Sequence, residues 1–590
     1  PPYMGGKGMN SALQKFAKAK YLDSRADLFA MFMERTLRLC LPKGKMAMIN
    51  MQSWMFLSSF EKLRASLLTH YSITSLAHLG ERAFDTIGGA VVSTTAFVFE
   101  KAARFERKAD FIRLTQGRNE AEKASDFRKA AGDASSEIRF RASSADIQTI
   151  PGKPLAYWVS DRMRDAFRKY APLEKHCRAF RGMETSDNER FLRFWAEVDK
   201  KKTGIRSVSH DEKWFPHNKG GDFRKWFGNA DIVINWENDG EEVRALLNSK
   251  YPELEGNLGW KICNENRYFQ DGITWGGLTS GTVTFRWSDH GSLFDSNKGA
   301  MMFPPRRAGM SVAGFLNSKV AQTLLNAINP TLSTQNSDLN ILPFDVRTIG
   351  HACDKAKSVG AQLVAIARSD WDAYEISWDF TRLPLLSLNH RAETLEATYA
   401  SLRGHWQNMT DKMRALEEEN NRIFIEAYGL QDELSPEVPL EEITLTCNPA
   451  YRYGVKGSEE DRETRLRADT TAELISYAVG CMFGRYALEE PGLILANQGE
   501  TIEDYLKRIP EPSFPADDDN VIPMLDGDWF TDDITERFRE FLRIAFGEEH
   551  YGENLRFVEQ ALGKDIRKYF LKDFYNDHVR RYKKRPIYWL

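Results

Sequence analysis

The chain has 590 residues, 42% of them hydrophobic, and a formal net charge of −3 at pH 7. This length allows several domains, and no apolar stretch reaches the roughly 20 residues needed to span a membrane. The six cysteines are scattered without a Cys-x-x-Cys pair. This spacing argues against a zinc site or a disulfide framework and favours the cytoplasm, with no membrane partner.

The chain begins with Pro1, Pro2 and Tyr3, and glycines follow between Gly5 and Gly8. Two consecutive prolines make a loop rigid because each proline fixes its φ angle. The glycines allow the backbone to turn sharply or to approach a ligand closely. Taken alone, these residues could be only a turn that leads into a helix near Asn10 to Lys20.

The next hundred residues alternate between helix and strand patterns. Apolar residues at helical spacing predict helices over 27–37 and 57–68. Short runs of apolar and β-branched residues predict strands over 46–51, 73–79 and 91–99. This alternation predicts an α/β domain with a partly parallel sheet.

Residues 116–155 are charged and rich in Ala and Ser, which favours a linker after a first domain at 1–115. From 156 to 345, aromatic residues are interleaved with basic and glycine residues, and most of the tryptophans are expected in the core. Alternation over 273–287 predicts a β-hairpin with its turn at Gly276-Gly277 or Ser280-Gly281. This part is expected to have an α+β fold.

The remainder of the chain has a mainly helical pattern, with a spacer over 346–440 and a last domain over 441–590. Heptad spacing from Leu395 to Ala427 indicates either a coiled-coil seam with Asn420 as its polar residue or a helix of an intramolecular bundle. Three adjacent carboxylates, Asp517 to Asp519, could suggest a metal site. Consecutive carboxylates seldom converge on one ion, so we expect a solvated loop and no metal.

Several phrases of the sequence, taken in order, resemble the second half of a gamma-class adenine-specific DNA methyltransferase. They are Pro1-Pro2-Tyr3, Leu41-Pro42-Lys43-Gly44, Leu79-Gly80-Glu81-Arg82-Ala83-Phe84 and Thr94-Thr95-Ala96-Phe97-Val98-Phe99. Gly6 to Asn10, directly after Pro-Pro-Tyr, is similar in particular to the methyltransferases of BREX phage-exclusion systems, to which type IIG restriction-modification enzymes are related. The resemblance covers essentially the whole chain and includes Trp214 to Gly221 and Ser377 to Phe380.

The resemblance implies the C-terminal half of a Rossmann-like methyltransferase sheet, followed by a target-recognition domain at 156–345. It implies transfer of a methyl group from S-adenosylmethionine to the exocyclic amine of an adenine flipped out of double-stranded DNA. In this class the Phe-x-Gly-x-Gly loop and the acidic residue that hold the cofactor precede Pro-Pro-Tyr. We therefore expect an internal segment of a longer protein, which is inactive by itself.

The implied base pocket contains the first three residues of the chain. The residue before Pro1 and the Pro1 carbonyl would bind the amine, Pro2 would stiffen the loop, and Tyr3 would stack on the base. Phe99 is the candidate for packing on the other side of the base, with Phe97 as the fallback. Phe99 could equally be an aromatic residue of the core.

Basic residues concentrate between 160 and 310, where the recognition domain is expected. A charge run is usually a solvated face, but its position here favours contacts with phosphates. The candidates for DNA binding are Lys200, Lys201, Lys202, Arg224, Lys225, Arg306, Arg307 and Asn188. Asn188 lies in a Gly-x-x-Thr-Gly-x-Asn-like segment, in which Ser186 replaces the second Gly, and this segment could cap a helix or meet a phosphate.

The expected partners are double-stranded DNA and other proteins of the phage-exclusion system, and a DNA-mimicking inhibitor protein is a further candidate. Two other functions stay open. One is a type IIG restriction enzyme, which needs a nuclease motif such as Asp…Glu-x-Lys that is not convincing here. The other is a DNA-recognition scaffold without catalytic activity.

Overall fold

The computed structural model describes residues 1–86, 92–207, 209–277, 281–296, 299–331, 334–527 and 529–587. The chain divides into two compact units. Unit 1 consists of Pro1–His176, Val320–Ile349 and Glu426–Leu434, and unit 2 consists of Cys177–Lys319, Gly350–Ile425 and Ser435–Leu590. No helix in these described ranges is both long enough and apolar enough to cross a lipid bilayer.

The strands lie in the first 302 residues. They are β1 Lys45–Met51, β2 Ser72–Gly80, β3 Thr94–Glu100, β4 Ala109–Arg113, β5 Arg139–Ala142, β6 Ala179–Phe180, β7 Leu192–Phe194, β8 Trp214–Asn218, β9 Ile232–Asn235, β10 Gly272–Trp275, β11 Phe285–Ser288, β12 Leu293–Phe294 and β13 Met301–Met302.

The helices extend over the whole chain and are the main elements after residue 302. They are α1 Ser11–Lys20, α2 Leu28–Leu39, α3 Glu61–His70, α4 Glu120–Gly132, α5 Ser144–Ile147, α6 Asp161–Lys169, α7 Asn188–Phe191, α8 Glu237–Lys250, α9 Gly309–Leu316, α10 Lys319–Ile328, α11 Asn336–Asn340, α12 Val346–Asp372, α13 Leu395–Tyr428, α14 Pro449–Tyr453, α15 Glu459–Met482, α16 Ile502–Arg508, α17 Ile534–Phe546, α18 Tyr551–Leu562, α19 Ile566–Tyr569 and α20 Tyr575–Arg581.

Unit 1 contains a five-stranded sheet in the order β1-β3-β2-β4-β5. The β2–β4 pair is parallel, and the β1–β3, β2–β3 and β4–β5 pairs are antiparallel. This pairing confirms the predicted strands and the partly parallel sheet. The third predicted strand begins at Thr94 instead of residue 91, which lies outside the described residues. That the sheet is half of a methyltransferase sheet stays a prediction.

One face of this sheet packs against α2 and α3 to form the core of unit 1. Phe97 and Phe99 of β3 are buried there with Phe29 of α2 and Leu63 of α3. Alternation along β3 places both phenylalanines on the same face of the sheet. The core therefore fixes the position of α2, which holds the first residues of the chain.

The segment 116–155, expected to be a linker, instead contains α4 and β5. Strand β5 extends the sheet, with Phe140 opposite Phe111 and Ala142 opposite Ala109. Only these two side chains of β5 are apolar, so the sequence gives little sign of a strand. Backbone pairing with β4 stabilises it.

Unit 2 contains two four-stranded sheets, in the orders β11-β10-β13-β6 and β12-β8-β9-β7. The predicted hairpin is confirmed, because β10 pairs antiparallel with β11 and places Trp275 opposite Phe285. Residues 278–280, on which part of the predicted turn falls, lie outside the described residues. Unit 2 thus contains both sheets and helices, and a single α+β recognition domain at 156–345 stays a prediction.

Helix α13 lies in unit 2 up to Ile425, where it packs as a member of a helical bundle. Its seam residues Leu402, Trp406 and Met413 are buried in the same core cluster as residues of α15, α17 and α18. The Asn420 amide donates a hydrogen bond to the carbonyl of Gly314 at 2.8 Å. These contacts within the chain confirm the intramolecular bundle helix instead of a two-chain coiled coil.

Candidate active site and DNA-binding surface

The first residues of the chain form an exposed segment beside the start of α2. Pro1 and Pro2 are exposed, and 44% of the Tyr3 surface is accessible to solvent. The Tyr3 ring meets the buried Phe29 ring edge to face, with centroids 6.1 Å apart and an interplanar angle of 85°. Tyr3 is thus positioned by the core while much of its ring stays open to a ligand.

Backbone hydrogen bonds hold this segment on the residues that precede α2. The Met4 amide donates to Oδ1 of Asp27 at 3.0 Å, and the Leu28 amide donates to the Met4 carbonyl at 3.1 Å. The Gly6 amide donates to the Ala26 carbonyl at 3.0 Å. The bonds on both sides of Gly5 make a short antiparallel pairing, so the segment is fixed before any ligand binds.

The phenol of Tyr3 has a raised pKa, chiefly because of partial burial and secondly because of the charge of Asp27. The neutral form is therefore favoured even more strongly than in free tyrosine, whose pKa is about 10. A neutral aromatic ring that is partly exposed suits stacking on a planar, uncharged group such as a nucleobase.

An open groove lies next to this segment in unit 1, with a volume of about 910 Å³. Its wall includes residues 6, 7 and 9 of the glycine turn and parts of α1 and α3. Two acidic residues, Asp23 and Glu61, line it together with five basic ones, which are Lys7, Lys18, Arg25, Lys62 and Lys153. The groove is therefore electropositive, and these cations are scattered in sequence, so no charge run revealed them.

Phe99 does not lie where it could stack on a flipped base. Its exposure is 0%, and its ring contacts the rings of Trp54 and Phe97 at centroid distances of 6.1 and 5.5 Å. The fallback residue Phe97 is also buried. Both rings are core aromatics in this structure, because a base stacks only on a ring face that is open.

Arg224 and Lys225 are corrected from DNA-binding candidates to structural residues, since both are buried. Arg224 Nη2 contacts Asp370 Oδ2 at 2.6 Å, and Lys225 Nζ donates to Glu417. Glu417 also accepts from Trp226 Nε1 at 2.8 Å. Charges paired inside unit 2 have no free donor to offer a phosphate.

The other basic candidates are exposed to solvent, and they differ in whether an acidic side chain pairs with them. Lys201 forms an ion pair with Glu500 at 3.0 Å. Lys200 has a lowered pKa because of partial burial and then because of the neighbouring Arg508 and Arg485. The remaining candidates, Lys202, Arg306 and Arg307, are exposed, and the two arginines lie in the turn before α9.

Asn188 is exposed at the first position of α7, a helix of four residues. The Asp187 side chain caps this helix by accepting a hydrogen bond from the Arg190 amide at 3.0 Å. A carboxylate therefore occupies the place where the helix start would attract a phosphate. The cap is confirmed, but the helix ends at Phe191 instead of continuing over 190–198, because strand β7 begins at Leu192. Asn188 accepts a hydrogen bond from Thr185 Oγ1 at 2.8 Å.

One tryptophan between residues 156 and 345, where most tryptophans are expected in the core, is exposed, and the sequence did not indicate this. Trp260 is 54% exposed, and the Lys261 ammonium lies 4.3 Å from its ring centroid. Arg181 donates a hydrogen bond to the Trp260 carbonyl. Gly256 and Gly259, which precede Trp260 in the sequence, are the signal that could have indicated a surface loop. A flat ring with nearby cations is a common feature of surfaces that bind nucleic acid.

The described residues around Tyr3 do not fit S-adenosylmethionine. Gly6–Gly8 form a single 3-10 turn that follows Tyr3 and does not follow a strand. The carboxylate that contacts this segment, Asp27, already accepts hydrogen bonds from the amides of Met4 and Phe29. The Pro1–Gly8 segment therefore lacks the glycine loop that the cofactor needs, and the carboxylate that contacts this segment is already used by the backbone.

Among the described ranges, no cluster of three or more His, Cys, Asp or Glu side chains could hold a metal ion. Of the three adjacent aspartates, Asp517 is buried and forms an ion pair with Arg537 at 3.3 Å. Only Asp518 and Asp519 are exposed. The expected solvated loop is therefore correct for two of the three residues.

One family model matches the N-terminal part of the chain. Residues 1–84 match the family model described as Eco57I restriction-modification methylase. These residues include the Pro-Pro-Tyr segment, the groove beside it and the first two strands of the sheet. This part of the chain is therefore similar to restriction-modification methylases.

Two curated relatives are similar to the chain over its whole length. The chain is 37% identical to "Adenine-specific methyltransferase BrxX" of Escherichia coli O9:H4 (strain HS), over 100% of this chain and 48% of that protein. It is 36% identical to "Adenine-specific methyltransferase PglX" of Lacticaseibacillus casei (strain Zhang), with the same shares covered. The resemblance to BREX methyltransferases is confirmed, and the chain spans about half the length of these curated relatives.

Among solved structures, the fold is similar to a structure of the Type IIL restriction-modification enzyme MmeI in complex with DNA. The TM-score is 0.45 and the sequence identity is 11%, over 74% of this chain and 54% of that one.

Proposed function

We propose that this chain is part of a site-specific DNA methyltransferase that modifies the exocyclic amine of adenine in double-stranded DNA and acts in phage exclusion. The observation that carries the proposal is the Pro1–Tyr3 segment, in which a 44% exposed aromatic ring is held by Asp27 beside an electropositive groove. The similarity to two adenine-specific methyltransferases over the whole chain supports it.

In the proposed reaction, the target adenine leaves the duplex and its ring stacks on Tyr3. The Pro1 carbonyl accepts a hydrogen bond from the exocyclic amine, and Pro2 keeps this carbonyl in place because its φ angle is fixed. Electron density then shifts towards the amine nitrogen, which makes it a better nucleophile. S-adenosylmethionine, bound by other residues of the longer protein, would supply the methyl group.

The groove beside the glycine turn and the exposed arginines 306 and 307 are proposed to contact DNA phosphates. Phosphate contacts position the duplex, whereas sequence is read by base contacts. The overall charge of −3 does not conflict with this, since local patches of charge decide DNA binding. The exposed Trp260 is proposed to add a stacking or sugar contact on the recognition part.

A type IIG restriction enzyme stays the second candidate, because the matched family model describes a restriction-modification methylase. A nuclease would cleave DNA that carries the unmodified site, whereas a methyltransferase alone would only protect it. Incubation of the full-length protein with unmethylated DNA and Mg²⁺ distinguishes the two candidates.

The experiment for the main proposal is methylation-sensitive sequencing of host DNA with the wild-type or a Tyr3 variant of the full-length protein. Tyr3→Ala should lower adenine methylation about 10- to 100-fold, because stacking on an aromatic ring contributes about 1–3 kcal/mol. Tyr3→Phe keeps the ring and should keep most of the activity. Unchanged methylation in Tyr3→Ala would refute the base-stacking role of Tyr3. Absence of methylation in the wild type would refute the proposed methyltransferase activity.

A further inference from the structure

An exposed apolar surface near the C-terminal end has no part in the proposed reaction. Four large apolar side chains within ten residues are exposed, namely Val521 (67%), Leu525 (40%), Trp529 (72%) and Phe530 (53%). We call these four residues the 521–530 patch. Scattered single apolar residues are normal on a protein surface, whereas apolar residues that lie close together mark interaction sites.

The backbone that carries the patch is attached to the helical core of unit 2. Ile522 and Met524, which alternate with the patch residues, pack against that core. Arg567 donates hydrogen bonds to the carbonyls of Leu525 and Gly527 at 2.9 and 3.1 Å. Ile522 and Met524 thus attach the segment to the core. The patch residues are presented to solvent by a backbone with fixed contacts.

Exposed carboxylates lie on both sides of the patch in the sequence and also within it. They belong to Asp518, Asp519, Asp526 and Asp532. DNA carries about one negative charge per 1.7 Å of its axis, so an acidic rim disfavours a duplex here. The same sign of charge disfavours a membrane surface with anionic headgroups. The exposed Trp260 has the opposite surroundings, since Lys261 and Arg181 contact it.

Protein partners recognise such a surface by complementary charge around an apolar centre. Trp and Phe are enriched at protein interfaces, and rim charges select the partner and speed up its association. We propose that the 521–530 patch binds a separate protein through an apolar segment that is flanked by lysine or arginine residues.

The test uses the full-length protein in its native host, with Trp529 replaced by the photo-crosslinking residue p-benzoylphenylalanine. Leu388 is the matched control position, because it is 84% exposed and lies in the same unit. After irradiation, mass spectrometry of the cross-linked peptides identifies the segment that lies on the patch. We expect a second protein whose cross-linked segment is apolar and basic, with a yield well above that at position 388.

Two variants then test the apolar contact and the charge complementarity separately. Trp529→Ala with Phe530→Ala should abolish copurification of the identified protein. Neutralisation of the rim by Asp518→Asn, Asp519→Asn, Asp526→Asn and Asp532→Asn should lower the cross-linking yield about threefold or more, since rim charges act on association. Thermal unfolding of both variants, expected to match the wild type, shows that the fold is intact.

The proposal is overturned if the cross-link at position 529 joins the patch to another part of the same chain, to DNA or to an acidic segment. A yield no higher than at position 388 overturns it as well. A yield that is unchanged when the four carboxylates are neutralised would refute the basic character of the partner.

Discussion

Oδ1 of Asp27 accepts a hydrogen bond from the Met4 amide at 3.0 Å and thereby attaches the Pro-Pro-Tyr segment to the start of α2. The same oxygen accepts from the Phe29 amide at 3.3 Å and so caps the helix. One carboxylate thus links the stability of α2 to the position of Tyr3. Because α2 is packed on the sheet, the Tyr3 ring is held by the core of unit 1.

Asp27→Ala should lower both stability and activity. We expect the free energy of unfolding to fall by about 1 kcal/mol, the usual contribution of an N-cap. Methyl transfer by the full-length protein should fall about tenfold or more, since small displacements of a positioning group are costly. Denaturant unfolding and incorporation of labelled methyl groups into DNA measure the two effects.

Asn119→Ala is the matched control for Asp27→Ala. Asn119 caps α4, where its side chain accepts from the Glu122 amide at 2.9 Å, and it has no contact with the Tyr3 segment among the described residues. Its loss should lower stability by a similar amount and leave methyl transfer unchanged. A similar loss of activity in both variants would show that Asp27 acts only through stability.

Strands β1, β2 and β3 of unit 1 could be predicted because they are short runs of apolar and β-branched residues, whereas β4 was not predicted. Strand β5 could not, because Arg139 and Arg141 alternate with Phe140 and Ala142, which resembles the charged segment before it. Its pairing with β4 is a tertiary interaction without a local pattern. Helix caps, in contrast, are local, and Asn10 and Asp27 were recognisable as helix starts.

The DNA-binding candidates show a second reason why the sequence does not predict the site. Arg224 and Lys225 resemble surface cations in the sequence, because their partners Asp370 and Glu417 lie 146 and 192 residues further along the chain. No spacing rule connects residues so far apart. The cations of the groove were missed for the same reason, since folding brings them together from α1, α3 and the turn at Lys153.

The buried pair of Lys225 and Glu417 should matter for stability and little for DNA affinity. Lys225→Met leaves the Glu417 carboxylate buried without its cation, and loss of one member of such a pair costs about 3–5 kcal/mol. A lower melting temperature should therefore be measured for this variant. Glu417→Gln in the Lys225→Met background removes the unpaired charge and should recover part of the loss. No recovery would contradict the ion pair.

Phosphate contacts should appear in the salt dependence of DNA binding. The slope of log K against log salt concentration is negative, and Lys18→Ala with Lys62→Ala, or Arg306→Ala with Arg307→Ala, should each reduce its magnitude by about 1.8, because each phosphate contact contributes about 0.9. Lys201→Ala is the control, since its charge is already paired with Glu500. Fluorescence anisotropy with labelled duplex DNA measures the slopes. A slope equal to that of the wild type would exclude the altered pair of residues as phosphate contacts.

The buried His78 should make unit 1 sensitive to acid. Burial, and then the charges of Arg113 and Lys123, lower the pKa of His78 to about 3. Nε2 of its ring contacts Gln52 Oε1 at 2.7 Å and Nδ1 contacts the Tyr157 hydroxyl at 3.1 Å. The neutral ring is therefore the form that fits this network.

The sign of the pH effect follows from the lowered pKa. An unfolded histidine titrates near pH 6.5, so between about pH 6.5 and 3 the unfolded chain binds a proton that folded unit 1 does not bind. Stability should thus fall with decreasing pH in this window, by up to about 1.4 kcal/mol per pH unit from this residue. His78→Gln removes the titration and should flatten the dependence of the melting temperature on pH between 4 and 6. His70→Gln, at an exposed position of α3, is the control that should keep the wild-type slope, and equal slopes in all three proteins would contradict the assignment.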